Sequence, residues 1–316
     1  MEKAIKMEFK EIKHIKIVNG IKVSELVNRM KNVGFGAKNL AEASNILETA
    51  IRDKECKLFF GMAGALVPGG MREIVIDMLR KEFVDVFVTT GANLTHDLIE
   101  ALGFKHYQGS ANVDDVELNK KGIDRIYNVF MKNQVYEHLE KFFTKNFDEL
   151  SKTTSPREFL WKLGELVHKK SILKICYERK IPIFCPALTD SGIGLMVWGQ
   201  LIRKRKIELD FFKDLAEIIE ISWSAKKTAV LYIGGGVPKN YIQQALQFTK
   251  PAIYGVQITT DRAEPGGSSG ASLKEGISWG KMSRKAKFVD VFCDATIALP
   301  LLYASLIDKL KIKKEG

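Results

Sequence analysis

Six apolar segments recur along the chain, and they constrain its fold more than any other feature. Each is apolar at nearly every position rather than at alternate positions, and most precede a turn and a stretch with helical periodicity; they lie at 57–62, 84–90, 181–188, 228–234, 252–258 and 288–293. Continuously apolar strands are typical of parallel sheets that helices cover on both faces. The pattern therefore predicts an α/β fold with a doubly wound, mostly parallel sheet.

Helical signals fill the segments between these strands. Residues 120–180 are predicted to be a mostly helical insertion, in which Ser155-Pro156-Arg157-Glu158 has the residues of a capping box at a helix start. A final helix is predicted at 295–310. The first 40 residues predict an N-terminal appendage with a short helix near Val23–Met30 and a turn at Gly34 and Gly36. We therefore expect an appendage at 1–40 and a single domain at 41–316.

Composition limits the kinds of partner and compartment. The 316 residues include 49 Lys and Arg against 38 Asp and Glu, a net charge of +11 that permits an acidic partner. Because the basic run at 203–206 has no interleaved aromatic residue, we expect no nucleic-acid partner. The four cysteines form no CxxC pair, so we expect no metal site and a reducing, cytoplasmic location. The most apolar run, 295–307, contains Pro300 and is shorter than the roughly 20 residues that cross a bilayer, so no membrane span is predicted.

Small and polar residues gather in the loops after the predicted strands, where ligands of open parallel sheets bind. The turn Gly61-Met62-Ala63-Gly64 lacks the GxGxxG spacing of dinucleotide-binding loops, and it is open to either phosphate contact or a tight strand-to-helix turn. Asp190 and Asp294 end strands, where a carboxylate could bind ribose hydroxyls or cap the next helix; both alternatives stay open. The three glycines at 234–236 suggest a ligand against the backbone. His96, which follows the second strand, lies near this expected site.

The glycine- and serine-rich loop at 259–281 is the most informative of these segments. Ser272-Leu273-Lys274-Glu275 has capping-box spacing, and the short helix that it would start contains Gly276 and Gly280. Glycine costs about 1 kcal/mol in a helix, so these two positions indicate close approach instead. Lys281 stands beside Trp279-Gly280, where it could be desolvated and act as an amine nucleophile that forms a Schiff base. An ordinary surface lysine is the alternative that residue type leaves open.

The segment Ser278-Trp279-Gly280-Lys281 resembles the active-site segment of the deoxyhypusine synthase family. Further motifs of that family follow in its order along about residues 40–310: VTT at 88–90, PALTD at 186–190, IGGGVPK at 233–239 and FCDAT at 292–296. The resemblance implies a Rossmann-like homotetramer that uses NAD and spermidine. It also implies that an aminobutyl group passes from spermidine, as an imine on Lys281, to one lysine of a hypusine-bearing translation initiation factor.

The same resemblance assigns roles to residues of this chain. Lys281 would be the catalytic nucleophile. Substrate contacts would come from Gly266, Gly267, Ser268, Glu275 and Trp279, together with His96 and Asn240. Cofactor contacts would come from Gly64, Ala65, Leu66, Val67 and Pro68, from Thr90, Gly91 and Ala92, and from Asp190, Gly235, Thr260, Asp261, Asp294 and Ala295.

Five positions depart from the eukaryotic pattern of the family. Thr95 and His96 stand where that pattern has two glutamates, Leu195 and Ser268 where it has aspartates, and Asn240 where it has a histidine. Fewer acidic and polar side chains would then contact a polycation. These replacements favour a first alternative, an aminobutyl transferase that makes homospermidine from small amines such as putrescine. The net charge of +11 leaves a second alternative, a non-catalytic basic protein that binds RNA.

Overall fold

The computed structural model describes residues 9–311, and a six-stranded sheet forms the centre of this part of the chain. All neighbouring strands are parallel, in the order β6-β2-β1-β7-β8-β9. The strands are β1 Cys56–Met62, β2 Val86–Thr89, β6 Ile183–Phe184, β7 Lys227–Ile233, β8 Ala252–Thr259 and β9 Met282–Phe292. Each predicted apolar segment overlaps one of these strands, so the predicted sheet is confirmed.

Helices cover both faces of this sheet, because successive side chains of its central strands are apolar on both sides. Leu58 and Phe60 of β1 pack into the larger core cluster, whereas Phe59 between them packs into the cluster on the opposite face. All three side chains are buried. The doubly wound, Rossmann-like α/β fold expected from the sequence is therefore confirmed.

The helices of the described residues connect these strands. In chain order they are α1 Val23–Met30, α2 Phe35–Arg52, α3 Arg72–Arg80, α4 Gly91–Ala101, α5 Asp115–Lys120, α6 Val135–Leu150, α7 Pro156–Leu166, α8 Ile172–Glu178, α9 Gly192–Leu201, α10 Phe211–Ser224, α11 Gly236–Gln247, α12 Glu275–Ser278 and α13 Ala295–Lys309. The helix start predicted at Ser155 is confirmed, since its hydroxyl accepts a hydrogen bond from Glu158 N–H at 3.3 Å. Within residues 9–311, no helix is long and apolar enough to cross a membrane.

The insertion is mostly helical through α6, α7 and α8, as predicted for residues 120–180, but it begins with a β-hairpin. The strands β3 Tyr107–Gln108, β4 Ile123–Ile126 and β5 Val129–Lys132 form an antiparallel sheet in the order β3-β5-β4. The hairpin turns at Tyr127, whose φ is +54°. The helical prediction is therefore wrong for residues 123–132, because their alternation is short and their turn lacks the glycine that usually marks a tight turn.

The helices α1 and α2 pack against the rest of the described chain, α1 on α13 and α2 on β8 and β9. The first of these has the predicted bounds. The predicted turn at Gly36 is wrong: the turn lies at 31–34, and Gly36 belongs to α2. That helix continues across residue 40 and is joined to α13 by a 2.9 Å hydrogen bond between the Ser44 and Ser305 hydroxyls. The division of the chain after residue 40 stays a prediction.

The crossover from β8 to β9 runs from the carboxyl-terminal end of β8 back to the amino-terminal end of its neighbour β9. Ala252 pairs with Met282 near the amino ends of both strands, and Thr259 pairs with Phe292 at their carboxyl ends. Seven residue steps separate these pairs along β8, which corresponds to about 23 Å. Lys281 therefore lies at the amino-terminal ends of the strands, which we call the amino edge of the sheet. The loops that follow the strands lie at their carboxyl-terminal ends, the carboxyl edge.

Candidate active site

A groove between α11 and the crossover segment 266–281 brings most of the predicted substrate residues together. Its volume is about 480 Å³. The predicted residues that line it are Asn240, Gly266, Ser268, Glu275, Trp279 and Lys281. Three glutamines of α11, at positions 243, 244 and 247, also line it. The groove thus combines a primary amine, a carboxylate and several amides along one helix.

The turn before Lys281 sets the direction in which this side chain leaves the main chain. Gly280 has a φ of +72°, a left-handed conformation that glycine adopts without strain. The Lys281 N–H donates a 2.8 Å hydrogen bond to the Gly276 carbonyl, and the Lys281 Nζ lies 5.1 Å from the centre of the Trp279 ring. The amine therefore faces the indole at cation–π distance, and Lys281 is partly buried rather than a fully exposed lysine.

The close approach expected at Gly276 is confirmed, but among the described residues no protein atom approaches Gly280 closely: a Cβ there would lie 3.9 Å from the Gln247 carbonyl oxygen. The capping box expected at 272–275 is wrong. A Cβ atom on Gly276 would lie 2.9 Å from Met282 Cγ, so protein atoms rather than a ligand require the glycine. The Ser272 hydroxyl donates to Asp290 Oδ2 at 2.6 Å instead of capping α12. The same hydroxyl accepts from Lys274 N–H at 3.2 Å. A tertiary contact to β9 and a local turn therefore fix the start of this segment together, without the bond from Glu275 N–H to the Ser272 hydroxyl that a capping box has.

A loop of the same chain packs against the glycines at 234–236. A Cβ atom on Gly235 would lie 2.8 Å from Ser269 Cβ, and Gly236 N–H donates a 2.8 Å hydrogen bond to the Ser269 hydroxyl. The main chain around Ser269 therefore packs directly on the turn between β7 and α11. The sequence predicts a ligand against these glycines, whereas at Gly235 and Gly236 the chain's own Ser269 takes that place. A cofactor contact of Gly235 stays a prediction.

Lys239 is the most deeply buried of the groove residues that the sequence did not reveal; the three glutamines of α11 and Phe248 are others. The Lys239 side chain is 1% exposed, and its Nζ donates to the carbonyls of Ser268 at 2.7 Å and Ala271 at 2.6 Å. Burial lowers the pKa of Lys239 to about 8, although the nearby Asp290 carboxylate raises it in part. The available signal was its place at the end of IGGGVPK, and that motif carries no information about burial.

The predicted cofactor residues lie together at the carboxyl edge of the sheet. The exposed ones are Gly64, Ala65, Ala92, Asp190, Thr260, Asp261 and Asp294; Thr90 and Ala295 are partly buried, and Leu66, Val67, Pro68, Gly91 and Gly235 are buried. The strand order reverses between β1 and β7, and open sheets bind ligands in the crevice at such a point. Exposed carboxylates that could accept from ribose hydroxyls, beside helix N-termini that suit phosphates, fit a dinucleotide such as NAD.

The alternatives left open for the two strand-end aspartates have different outcomes. Asp294 caps α13, because its Oδ1 accepts a hydrogen bond from Thr296 N–H at 2.8 Å. Asp190 is exposed and caps no helix, since the cap of α9 is Ser191, whose hydroxyl accepts from Gly194 N–H at 3.1 Å. A cofactor contact of either carboxylate stays a prediction.

His96 lies on α4, outside the groove, and its side chain faces His106, which follows that helix. Its Nδ1 is 2.9 Å from His106 Nε2, and His106 Nδ1 is 2.8 Å from Glu100 Oε1. Burial, with a smaller effect of His106, lowers the pKa of His96 to about 4, so this side chain is neutral at pH 7. One chain does not bring His96 to Lys281, and its substrate contact stays a prediction. In the described part of the chain, no cluster of three or more His, Cys, Asp or Glu side chains could hold a metal ion.

A crystal structure of a candidate deoxyhypusine synthase from Entamoeba histolytica has the same fold. It aligns with a TM-score of 0.63 at 21% identity, and the alignment covers 96% of this chain and 99% of that chain. At this level of identity the likeness supports the fold alone.

Sequence comparisons extend the likeness to the residues. A family model described as deoxyhypusine synthase matches residues 25–306. The chain is 43% identical to Probable deoxyhypusine synthase 1 of Archaeoglobus fulgidus over 294 residues, which are 93% of this chain and 96% of the relative. It is 42% identical to Probable deoxyhypusine synthase 1 of Methanosarcina acetivorans, with 95% of each chain covered. The chain therefore belongs to the deoxyhypusine synthase family, a family of aminobutyl-transferring enzymes.

Proposed function

We propose that this enzyme transfers the aminobutyl group of spermidine, with NAD as cofactor and through an imine on Lys281, to one lysine of a hypusine-bearing translation initiation factor. The observation that carries the proposal is the groove along α11, where Lys281, Trp279 and Glu275 lie together in a chain of this family. The names of the curated relatives support the same reaction.

The groove contains the kinds of group that a polyamine needs. The Glu275 carboxylate can pair with a substrate ammonium, and the glutamine amide oxygens of α11 can accept its N–H groups. The exposed rings of Trp279 and Phe248 can cover the methylene groups or face an ammonium. Because the chain has a net charge of +11, binding of a polycation requires an acidic side chain inside the groove.

Lys281 would act as the nucleophile of the transfer. NAD would supply the hydride acceptor for oxidation of the substrate amine and the hydride donor for the final reduction. Because Lys281 and the predicted cofactor residues of the same chain lie at opposite ends of β8, the NAD that serves Lys281 would be bound by a neighbouring chain of a homo-oligomer. Attack of the Lys281 Nζ on the resulting imine carbon forms a carbon–nitrogen bond and releases 1,3-diaminopropane. Attack of the acceptor lysine on the same carbon then frees Lys281. Glu275 would hold a remaining ammonium of the substrate, so that the four-carbon arm extends to Lys281.

We also propose that the enzyme is a cytoplasmic homotetramer. Leu195, Trp198 and Ile202, on and just after α9, are 57%, 59% and 63% exposed. Clustered apolar side chains at a surface are typical of protein interfaces. The four cysteines all lie among the described residues and are free thiols, as expected in a reducing compartment. Sedimentation at equilibrium should give the mass of four chains, and a monomer mass would contradict this part of the proposal.

Incubation with NAD, labelled spermidine and candidate acceptors tests the transfer. Borohydride should trap a labelled adduct on Lys281 of the wild type. Lys281→Arg should form no adduct while keeping its thermal stability and NAD affinity, because a guanidinium stays protonated and cannot form the imine. Lys274→Arg is the matched control, since Lys274 is an exposed lysine of the same crossover. An adduct on Lys274, or no adduct on the wild type, would contradict the proposal.

Homospermidine synthesis is the second candidate function, and the environment of His96 favours it. This neutral histidine stands where the eukaryotic pattern has a glutamate, so the position supplies no negative charge for a further ammonium. With putrescine present, label in free homospermidine rather than in a protein would establish this alternative. Membership of an enzyme family argues against the non-catalytic RNA-binding alternative. Salt-dependent RNA binding by a wild type that forms no adduct would restore it.

A further inference from the structure

Lys239 is buried in a way that the proposed reaction does not explain. Its side chain lies at the wall of the groove and is almost completely shielded from solvent. Lysine is rarely fully buried without a partner of opposite charge, because removal of the ammonium from water is costly. Among residues 9–311, no carboxylate forms an ion pair with Lys239, and its hydrogen bonds go to main-chain carbonyls. Burial of the Lys239 amine therefore has a free-energy cost, and this cost needs an explanation.

The carbonyls that Lys239 binds belong to one short loop. Its Nζ donates to Ser268 O at 2.7 Å and to Ala271 O at 2.6 Å. Gln257 of β8, which is fully buried, donates from its Nε2 to Ser269 O at 3.1 Å and to Ala271 O at 3.3 Å. Three carbonyls of residues 268–271 thus bind two buried side chains from α11 and β8. The Oε1 atom of Gln257 has no hydrogen-bond partner among the described residues, but its Nε2 and the Lys239 Nζ both donate to this loop. Buried donors of this kind hold a main chain in one conformation.

The held loop is also part of the groove. Ser268 and Ala271 line the groove together with Glu275 and Lys281. A shift of the loop would therefore move the wall that the substrate shares with the reacting amine. Misplacement of a catalytic group by about 1 Å can cost on the order of 10²-fold in rate.

We propose that Lys239 is a positioning residue of the aminobutyl transfer: its buried amine clamps the main chain of residues 268–271 against α11 and so sets the shape of the groove beside Lys281. The inference rests on the proposed function. A side chain needed only to fill space would be apolar at this place, since replacement of buried charge by well-packed apolar groups is often neutral or stabilising. Departures from the ordinary rules of burial are expected at functional sites.

The charges around Lys239 make the clamp depend on pH. Burial favours the neutral amine and lowers the pKa of Lys239 to about 8; Asp290 of β9 and Glu275 of α12 favour the ammonium, and Lys281 disfavours it. A charged donor forms hydrogen bonds about twice as strong as those of a neutral donor. The loop should therefore be held most firmly below pH 8 and less firmly above it.

Amide hydrogen exchange of residues 263–272, measured without spermidine or NAD, tests the clamp directly. At pH 7, Lys239→Met should speed exchange of these amides at least ten-fold and leave the amides of β1 and β7 unchanged. With spermidine and NAD, the same variant should lower kcat for adduct formation on Lys281 at least ten-fold, by more than it raises the KM for spermidine. Gln257→Leu removes the other two bonds and should act in the same direction. Lys274→Met, the exposed control, should change neither measurement.

Two further measurements keep the test decisive if Lys239→Met fails to fold. Lys239→Gln keeps an amide donor and should retain part of the loop protection and of kcat. In the wild type, protection of the loop amides, corrected for the intrinsic effect of pH, should fall above pH 8. Exchange and kcat within two-fold of wild type in folded Lys239→Met would overturn the proposal. Constant protection of the loop amides in the wild type from pH 6.5 to 9.5 would also overturn it. If the wild type forms no adduct, the proposed function fails, while the exchange data still show whether Lys239 holds the loop.

Discussion

Replacement of Gly235 by alanine should disable the groove without removing any reactive group. The added Cβ would lie 2.8 Å from Ser269 Cβ, about 0.6 Å inside the shortest ordinary contact of 3.4 Å, and would overlap the Ser269 main chain. Because the obstacle includes main chain, relief requires residues 268–271 to move, and rotation of one side chain is not enough. Overpacking of this kind costs about 1–3 kcal/mol. The movement would also pull Ser268 away from Lys239 and deform the wall of the groove.

We expect Gly235→Ala to slow adduct formation on Lys281 about 100-fold and to lower the melting temperature by about 2–12 °C. The assays are the rate of borohydride trapping at saturating spermidine and NAD, and a thermal melt of the same preparation. Gly36→Ala is the control, since a Cβ at this position of α2 would meet no atom within 4 Å and alanine is the better helix residue. A wild-type rate of adduct formation in folded Gly235→Ala would refute the reasoning, because the loop would then not need its present position.

Asp294→Ala should remove the cap of α13 at a cost of about 1 kcal/mol and should also weaken NAD binding. Unchanged NAD affinity in a calorimetric titration would leave Asp294 with the capping role alone. His96→Gln should remove a pH dependence of the free energy of unfolding. The pKa of His96 is lowered to about 4 in the folded chain and is near 6.5 in the unfolded chain. The wild type should therefore lose up to about 3 kcal/mol of stability as pH falls from 6.5 to 4. The free energy of unfolding of both proteins, measured by urea denaturation across this pH range, checks the expectation. Parallel plots of that free energy against pH would contradict it. Burial raises the pKa of Cys176 and raises that of Cys185 to about 12, so both thiols should resist iodoacetamide at pH 8 until the chain unfolds. Mass spectrometry that finds both labelled in the native protein would show that the core opens readily.

The central strands could be predicted from the sequence because both of their faces are buried. The edge strand β9 could be predicted only in part. Its apolar half was found at 288–293, but the strand begins at Met282 and its first half carries the exposed residues Arg284, Lys285 and Lys287. An edge strand has fewer neighbours and tolerates such charges. The sequence therefore predicts Lys281 in a loop at the carboxyl edge, whereas it lies next to the amino end of β9.

The residues of the groove could be found from motifs, but their contacts could not. Ser272 has the spacing of a capping box, but its hydroxyl accepts from Lys274 N–H rather than Glu275 N–H. It also donates to Asp290, which only the return of β9 brings near. Burial of Lys239 depends on β8 and on residues 268–271, and a local pattern shows neither. His96 follows the carboxyl end of β2 in sequence, but its place on α4 turns it toward His106.

The central position of β1 has a consequence for the order in which the chain folds. Phe60 pairs with Phe87 on one side and with Leu231 on the other. A ribosome that adds about 5–20 residues per second needs on the order of 10–30 s to extend the chain from the first of these partners to the second. During that interval the edge of β1 that later pairs with β7 has no partner strand and is open to other nascent chains. Contacts so distant in sequence also slow folding itself. A chain cut before β7 would keep that edge open permanently, and aggregation rather than folding is its expected fate.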